Sequence, residues 1–365
     1  MVKRRIEVFA ASTDAIQVVW RGRGAGFGVL EVGGRGVELS ATDELGAATF
    51  RGLDPDTAYD VVLDGKRHAT ARTLPRPAGR MLGRVATVSD LHVGEIGTGH
   101  FPRIRSQRRP GAWRDAHPVW CLDACLDEIA AWSPDLLVAK GDLAHRNLPD
   151  EYDVVGKALL GQPAPVLAIP GNHDGGNLQH SSFDDEMDRI GLHAAAVQHH
   201  DLDSAVVVVA DTRVDGHHSG TITAVSDEIC RTAATGRPAL VLLHHQLMTE
   251  RIPHYIPTGV PKGESDAFLD ALDIAAPGAL VSSGHTHRHR ARRHRSITVT
   301  EVGSTKDFPG TWGWYEVYDG GITQTAWRIE EPRAIAWTEL TKQTARGVWA
   351  RWAPGSYDDR CLVTG

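Results

Sequence analysis

Two patterns of apolar and polar positions divide this chain. Through about residue 75 the apolar residues come in short alternating or β-branched stretches, AIQVVWRG, FGVLEVGG, ATFRGL and AYDVVLDGKRHATARTL, punctuated by Gly, Asp and Pro. Period-two alternation broken this often predicts an all-β sandwich, with Trp20 as its core aromatic. TLPRPAGR, residues 73–80, carries two prolines and a glycine and reads as a linker. From residue 83 the apolar runs turn polar only at their ends: GRVATVSDLH, DLLVAKGDLAH, APVLAIPGNHD, AVVVVADTR, PALVLLHHQ and GALVSSGHTH. Between them, WCLDACLDEIAAW and SDAFLDALDIAA have helical spacing. Buried strands alternating with helices predict an α/β domain. In such sheets ligands gather beyond the carboxyl ends of the strands, where this chain repeatedly places its polar clusters.

Further on, SITVTEVGST and WGWYEVYDGGITQTAWRI predict more strands, with Asp319, Gly320 and Gly321 turning a hairpin. AWTELTKQTARGVWARW predicts one amphipathic helix whose Trp337, Trp349 and Trp352 pack back onto the fold. The expected division is a β-sandwich over 1–76, a linker over 77–82, an α/β domain over 83–330, and a C-terminal extension over 331–365.

Composition narrows the picture. At 365 residues, 41% hydrophobic and 23% charged, the chain suits two globular domains. A formal charge of −7 disfavours a general polyanion binder. The four cysteines fall in no CxxC pattern, and Cys121 and Cys125 read as reduced, half-buried thiols on a helix. MVKRRIEVFAASTD is followed by no apolar run of secretory length, and no stretch of 18 apolar residues occurs. A soluble, cytoplasmic protein without a membrane span is expected.

The strand-end clusters supply Asp90 and His92, Asp142, Asn172 and His173, His244, and His285 with His287. Carboxylate and imidazole are the donors a divalent transition metal takes. Within DLH and HTH the paired residues sit at i and i+2, so an extended backbone would aim both side chains into one pocket. Gly141, Gly171 and Gly284 precede ligand candidates and suit tight turns. A lone Asp or His after a strand is usually a cap or a satisfied surface group. Several together, all at strand ends, point to a metal site. Within VSSGHTHRHRARRHR, His289 to Arg295 reads as a charged edge strand or turn.

In this order DLH, GDLAH, GNHD, HH and GHTH resemble the calcineurin-like metallophosphoesterases over roughly residues 83–330. The first module resembles fibronectin type III, with Tyr59 of LDPDTAYDVVL as its tyrosine corner. The resemblance implies a two-sheet α/β sandwich, preceded here by the small all-β sandwich, with two metal ions, Mn, Fe or Zn, at the strand ends. It makes Asp90, His92, Asp142 and His287 ligands of the first metal. Asp142 bridges to the second, which Asn172, His244 and His285 complete, with His245 behind them. A metal-bridging hydroxide then attacks phosphorus in line, His173 acts as the catalytic histidine, and Asp174 orients it.

His145 stands where purple acid phosphatases carry tyrosine in GDxxY, and Asp90-Leu91-His92 stands where they show Asp-x-Gly. ADTRVDGHHSGTIT instead resembles a loop of the cyclic-nucleotide and glycerophosphodiester phosphodiesterases, although Gln246 replaces the usual proline after HH. His217 and His218, with Arg109 from the arginine-rich FPRIRSQRRPGAWR, are the candidate substrate contacts; that arginine stretch also reads as a lid or solvated loop. A phosphodiesterase acting on a small-molecule phosphoester is expected. A phosphomonoesterase and a non-catalytic scaffold on the same fold are the alternatives. Nucleic acid is disfavoured as a partner, and homo-oligomerisation stays open.

Overall fold

A computed structural model describes residues 4–22, 28–40, 42–99, 102–175, 182–250 and 257–365. Seven antiparallel strands come first: β1 (Arg5–Ala11), β2 (Ala15–Arg21), β3 (Gly28–Val32), β4 (Arg35–Leu39), β5 (Leu45–Arg51), β6 (Ala58–Leu63) and β7 (Lys66–Arg72). They form two sheets, ordered β1-β2-β5 and β4-β3-β6-β7. Trp20 is buried between them with Ile16, Leu30, Phe50 and Val61, as the alternation requires. The Tyr59 hydroxyl accepts the backbone N–H of Asp54 (2.9 Å).

The α/β region follows with β8 (Met81–Val88), the short β9 (Gly97–Thr98) and β10 (Ile104–Arg105), α1 (His117–Trp132), β11 (Leu136–Lys140), α2 (Pro149–Leu160) and β12 (Val166–Ile169). Next come α3 (Phe183–Ile190), β13 (Val197–Leu202), β14 (Ala205–Ala210), α4 (Ser226–Ala233), β15 (Ala239–Leu243), α5 (Lys262–Ala275), β16 (Leu280–Ser283), β17 (Arg290–His294) and β18 (Ile297–Glu301). The chain ends in β19 (Thr311–Tyr318), β20 (Gly321–Arg328), α6 (Pro332–Thr341), α7 (Trp349–Trp352), α8 (Tyr357–Arg360) and β21 (Cys361–Val363). Two six-stranded sheets result, ordered β12-β11-β8-β19-β20-β21 and β13-β14-β15-β16-β18-β17.

Val85, Val138, Val207, Leu240, Leu280 and Tyr315 fill the space between the sheets. The outer face of the first sheet packs on α1, α2 and α6, and that of the second on α4 and α5. With both faces covered, β14, β15 and β19 are buried at every position. Strands β8, β11 and β12 run parallel, as do β14, β15, β16 and β18. Their carboxyl ends therefore share one edge of the sandwich.

The C-terminal extension departs from the single helix expected. α6 stops at Thr341, and Ala345, Arg346 and Gly347 take left-handed backbone (φ 50°, 55° and 84°), which an α-helix cannot continue through. After two more single-turn helices, β21 pairs antiparallel with β20 and extends the first sheet. Cys121 and Cys125 are fully buried on α1 rather than half-buried.

The β-module is sewn to the α/β region rather than tethered. The Gln17 side chain donates to Arg328 O (2.8 Å) and accepts from Arg328 N–H (2.9 Å), completing a buried reciprocal pair. Thr13 Oγ1 donates to Glu316 (2.7 Å), and Cys361 Sγ accepts from Ala11 N–H (3.2 Å). Buried Arg328 pairs with Glu339 of α6 at 2.7 Å, and Arg21 of β2 reaches the same carboxylate at 2.9 Å. Gln17→Leu leaves one buried N–H and one buried C=O unmatched, and should lower stability by about 2 kcal/mol. A urea unfolding midpoint equal to wild type would contradict that seam.

Candidate metal centre

Each predicted cluster lies just past the carboxyl end of a parallel strand: Asp90 and His92 after β8, Asp142 after β11, Asn172 and His173 after β12, His244 after β15, His285 and His287 after β16. Five of these residues have left-handed backbone: Asp90 (φ 55°), His92 (48°), Asp142 (51°), His285 (65°) and His287 (53°). Non-glycine residues enter that region at a cost of about 1–3 kcal/mol, and such strain concentrates at functional sites. DLH and HTH are therefore not extended. Their i and i+2 side chains converge because both residues are left-handed, not because a strand alternates.

The packing is tight enough to require glycine behind the donors. A Cβ on Gly171 would lie 2.2 Å from Asp142 Oδ1 and 2.6 Å from His244 Nε2. Ser89 Oγ donates to Asp90 Oδ2 (2.7 Å), and the His285 N–H reaches both Asp90 oxygens (3.0 and 3.1 Å). Lys140, buried at the end of β11, crosses between the sheets to Ser283 O (2.9 Å). Its own carbonyl accepts from His244 Nδ1 (2.8 Å).

That last bond bears on the site's chemistry. It commits the Nδ1 proton of His244 to the backbone and turns its Nε2 toward Asp142 Oδ1 at 3.5 Å. His92 Nε2 lies 3.4 Å from Asp142 Oδ2, so one carboxylate stands between two imidazoles. His287 Nε2 is 3.4 Å from Asp90 Oδ1 and 3.4 Å from His92 Nε2. Among the described residues, His244 Nε2 and Asn172 Oδ1 are buried without a hydrogen-bond partner. Burial, reinforced by Lys306 and the neighbouring histidines, holds His92 well below the ordinary imidazole range. Burial also opposes charge on His287, yet Asp90 and Asp307 overcome it and push that ring up to about 10. The group calls for positive charge, and a metal ion would displace that proton. Donor atoms of Asp90, His92 and His287, of Asp90, Asp142 and His244, and of His244, His245 and His285 lie within 4.8 Å of one another in each set. These buried carboxylates and imidazoles are donors that could hold metal ions.

His173 sits over this cluster, its ring 4.5 Å from that of His92 and its backbone N–H donating to Asp142 Oδ1 (2.9 Å). The partner expected for it is wrong. Its Nδ1 meets the carbonyl of His145 (3.0 Å), and the two rings stack at 5.5 Å. Asp174 is instead fully buried and accepts from Leu143, Ala144 and Gly171 N–H (3.1, 2.9 and 2.8 Å) and from the Tyr152 hydroxyl (3.0 Å). Four donors converging on it make Asp174 the clasp of the Asp142 and Asn172 loops, too engaged to orient an imidazole.

A pocket of about 420 Å³ opens above the donors. His218 lines it and approaches Asn172 Nδ2 at 3.4 Å, whereas His217 does not line it. Arg109 precedes a short helical turn over Pro110–Asp115 and also lies outside the lining; Arg103 takes its place. His245 is buried behind His285 and hydrogen-bonds Thr212 Oγ1 (2.8 Å).

Sequence reasoning missed Lys306 and Asp307. Asp307 Oδ2 accepts from His287 Nδ1 at 2.7 Å, and Lys306 Nζ bridges Asp307 (2.9 Å) and Glu95 (2.7 Å). Burial opposes ionisation of Asp307, but Lys306 and His287 outweigh it and hold the carboxyl below its usual range. A carboxylate behind a ligand histidine fixes its tautomer and orientation. The charged run after HTH is drier than expected as well. Arg288 and His289 are buried, and the wet edge begins only in β17.

A family model for the calcineurin-like phosphoesterases matches residues 83–289. Among curated proteins, the chain is 27% identical over 183 residues to a probable cyclic nucleotide phosphodiesterase of Psychrobacter arcticus. It is 25% identical over 177 residues to a glycerophosphodiester phosphodiesterase of Enterobacter lignolyticus. Each match covers 47% of this chain and 63% of the relative's length. Among solved structures, a dimetal phosphatase from Danio rerio aligns over 68% of this chain and 96% of its own, at 12% identity and a TM-score of 0.50, a likeness of fold. Among the described residues, no helix is long and apolar enough to cross a membrane.

Proposed function

Because the chain belongs to the calcineurin-like phosphoesterases, we propose that it is a dinuclear metal-dependent phosphodiesterase acting on a small-molecule phosphoester. The observation that carries this reading is the Asp142 carboxylate between the Nε2 atoms of His92 and His244, at 3.4 and 3.5 Å. Asp90, His92, Asp142 and His287 would hold one ion, and Asp142, Asn172, His244 and His285 the other. Such ions, Mn, Fe or Zn, supply Lewis-acid activation of water and neutralise phosphate charge.

The chain's own residues do the rest. His145 O accepts the Nδ1 proton of His173, so delivery of a second proton from Nε2 to the leaving alcohol's oxygen requires the imidazolium form of the ring. Asp307 keeps His287 in its ligating orientation. Asp174 holds the two loops that carry Asp142 and Asn172 at one spacing. The β-sandwich over 1–76 we assign as a fibronectin type III-like support, on its strand order and the Tyr59 contact.

The diester preference follows the names of the two curated relatives and the room above the donors. With Mn²⁺-reconstituted protein, bis(p-nitrophenyl) phosphate should be cleaved faster than p-nitrophenyl phosphate. Faster monoester cleavage would make the protein a phosphatase. Turnover of neither, with two ions bound, would favour the scaffold.

A further inference from the structure

We propose that Trp349, from the C-terminal extension, is a specificity-determining residue that stacks on the planar base of a nucleoside phosphoester held at the metal centre. The inference rests on the phosphoester-binding part of the reading above and names its substrate class.

Trp349 opens α7 and lines the pocket above the metal donors, with Thr344 beside it. Its ring centroid is 6.5 Å from that of His287, at 71°; among the described residues this is its one ring contact. It is only partly buried, unlike Trp312, Trp314, Trp327 and Trp337, which the core absorbs. An indole held at a pocket wall beside a ligating histidine has an apolar face to offer whatever the phosphate carries.

The wall is built rather than incidental. Immediately past HTH, the His289 N–H donates to Ala353 O (2.9 Å), fixing the end of α7. Arg288 lies over the Trp352 ring at 5.7 Å. The stretch that supplies His285 and His287 thus also anchors the helix carrying Trp349. Left-handed Ala345, Arg346 and Gly347 turn the chain off α6 into this position. Trp349 and the segment that carries it lie beyond residue 289, where the family match ends.

The rest of the pocket favours a flat ring. Arg103 is a second planar group in the lining, and both indole and guanidinium planes stack on nucleobases. His218 and Pro257 add breadth to the lining. A glycerol alcohol would offer the indole nothing to stack on, while a nucleoside gains from every flat surface.

The test is binding of AMP and of glycerol 3-phosphate to the manganese-loaded full chain by calorimetry. Wild type should bind AMP about thirtyfold more tightly, the middle of the range for one base on one aromatic ring. Trp349→Ala should bring AMP to the glycerol 3-phosphate level and leave glycerol 3-phosphate unchanged, while Trp349→Phe keeps most of the preference. Equal weakening of both ligands would mean that Trp349 only supports the fold and would overturn the inference. So would a wild type that binds AMP no more tightly than glycerol 3-phosphate, whatever the diester assay gives. An intact AMP preference without diester turnover would sink the phosphodiesterase assignment and leave this one standing.

Discussion

Asp142→Asn should leave the purified protein with less than one equivalent of bound metal and lower turnover by roughly three orders of magnitude. The reason is position. Asp142 Oδ2 faces His92 and Oδ1 faces His244, so this one carboxylate serves both donor sets. Asparagine keeps the volume and one oxygen but removes the negative charge that two cations would share. Oδ1 also accepts the His173 N–H, so the loss should spread to the residue above the cluster. Elemental analysis after gel filtration checks it, beside thermal unfolding to confirm that the chain still folds. Two ions per folded chain would refute the bridging assignment.

His173→Ala should behave in the opposite way, with metal content near wild type and turnover of alkyl diesters lowered by roughly 10²–10⁴-fold. Metal is retained because the tie between residue 173 and Asp142 runs through the backbone N–H, which alanine keeps. What goes is the Nε2 nitrogen, from which the imidazolium form of the ring would deliver a proton. An alkyl alcohol is a poor leaving group without it, whereas p-nitrophenolate leaves readily as an anion. The loss should therefore be much smaller on bis(p-nitrophenyl) phosphate than on an alkyl diester. Equal losses on both would show that His173 contacts the phosphate rather than delivering a proton.

The parts of this site that the sequence made legible are those with a local cause. Apolar runs ending in Asp or His marked both the strands and the edge at which their ends meet, because burial on two faces leaves polarity nowhere else to go. Gly171 was readable as a tight turn, and what requires glycine there is the close approach of Asp142 and His244. What escaped is what the tertiary fold decides. Asp174 follows His173 directly, yet its side chain turns away to the loops after β11 and β12, and a carbonyl from His145 takes the expected role. Lys306 and Asp307 follow β18 without any motif, and they reach His287 because β18 lies parallel beside β16. His289 looked like the start of a charged edge, but it is buried and its N–H meets the C-terminal segment at Ala353 O. Trp349 belongs to a stretch whose helical pattern concealed three left-handed residues.

The seam between the β-module and the α/β region has a consequence for how such a protein can be rearranged. α6 packs against β5, and its Glu339 answers both Arg21 and Arg328. At the far side of α7, Arg360 of α8 donates to Phe9 O (2.9 Å), and Cys361 meets Ala11. The helix bearing Trp349 is thus strung between two anchors that both end on the β-module. A recombinant graft that exchanged this module for another sandwich would keep every metal donor and still slacken the wall above them. Inheritance of the two units as a pair is what preserves the shape of the pocket.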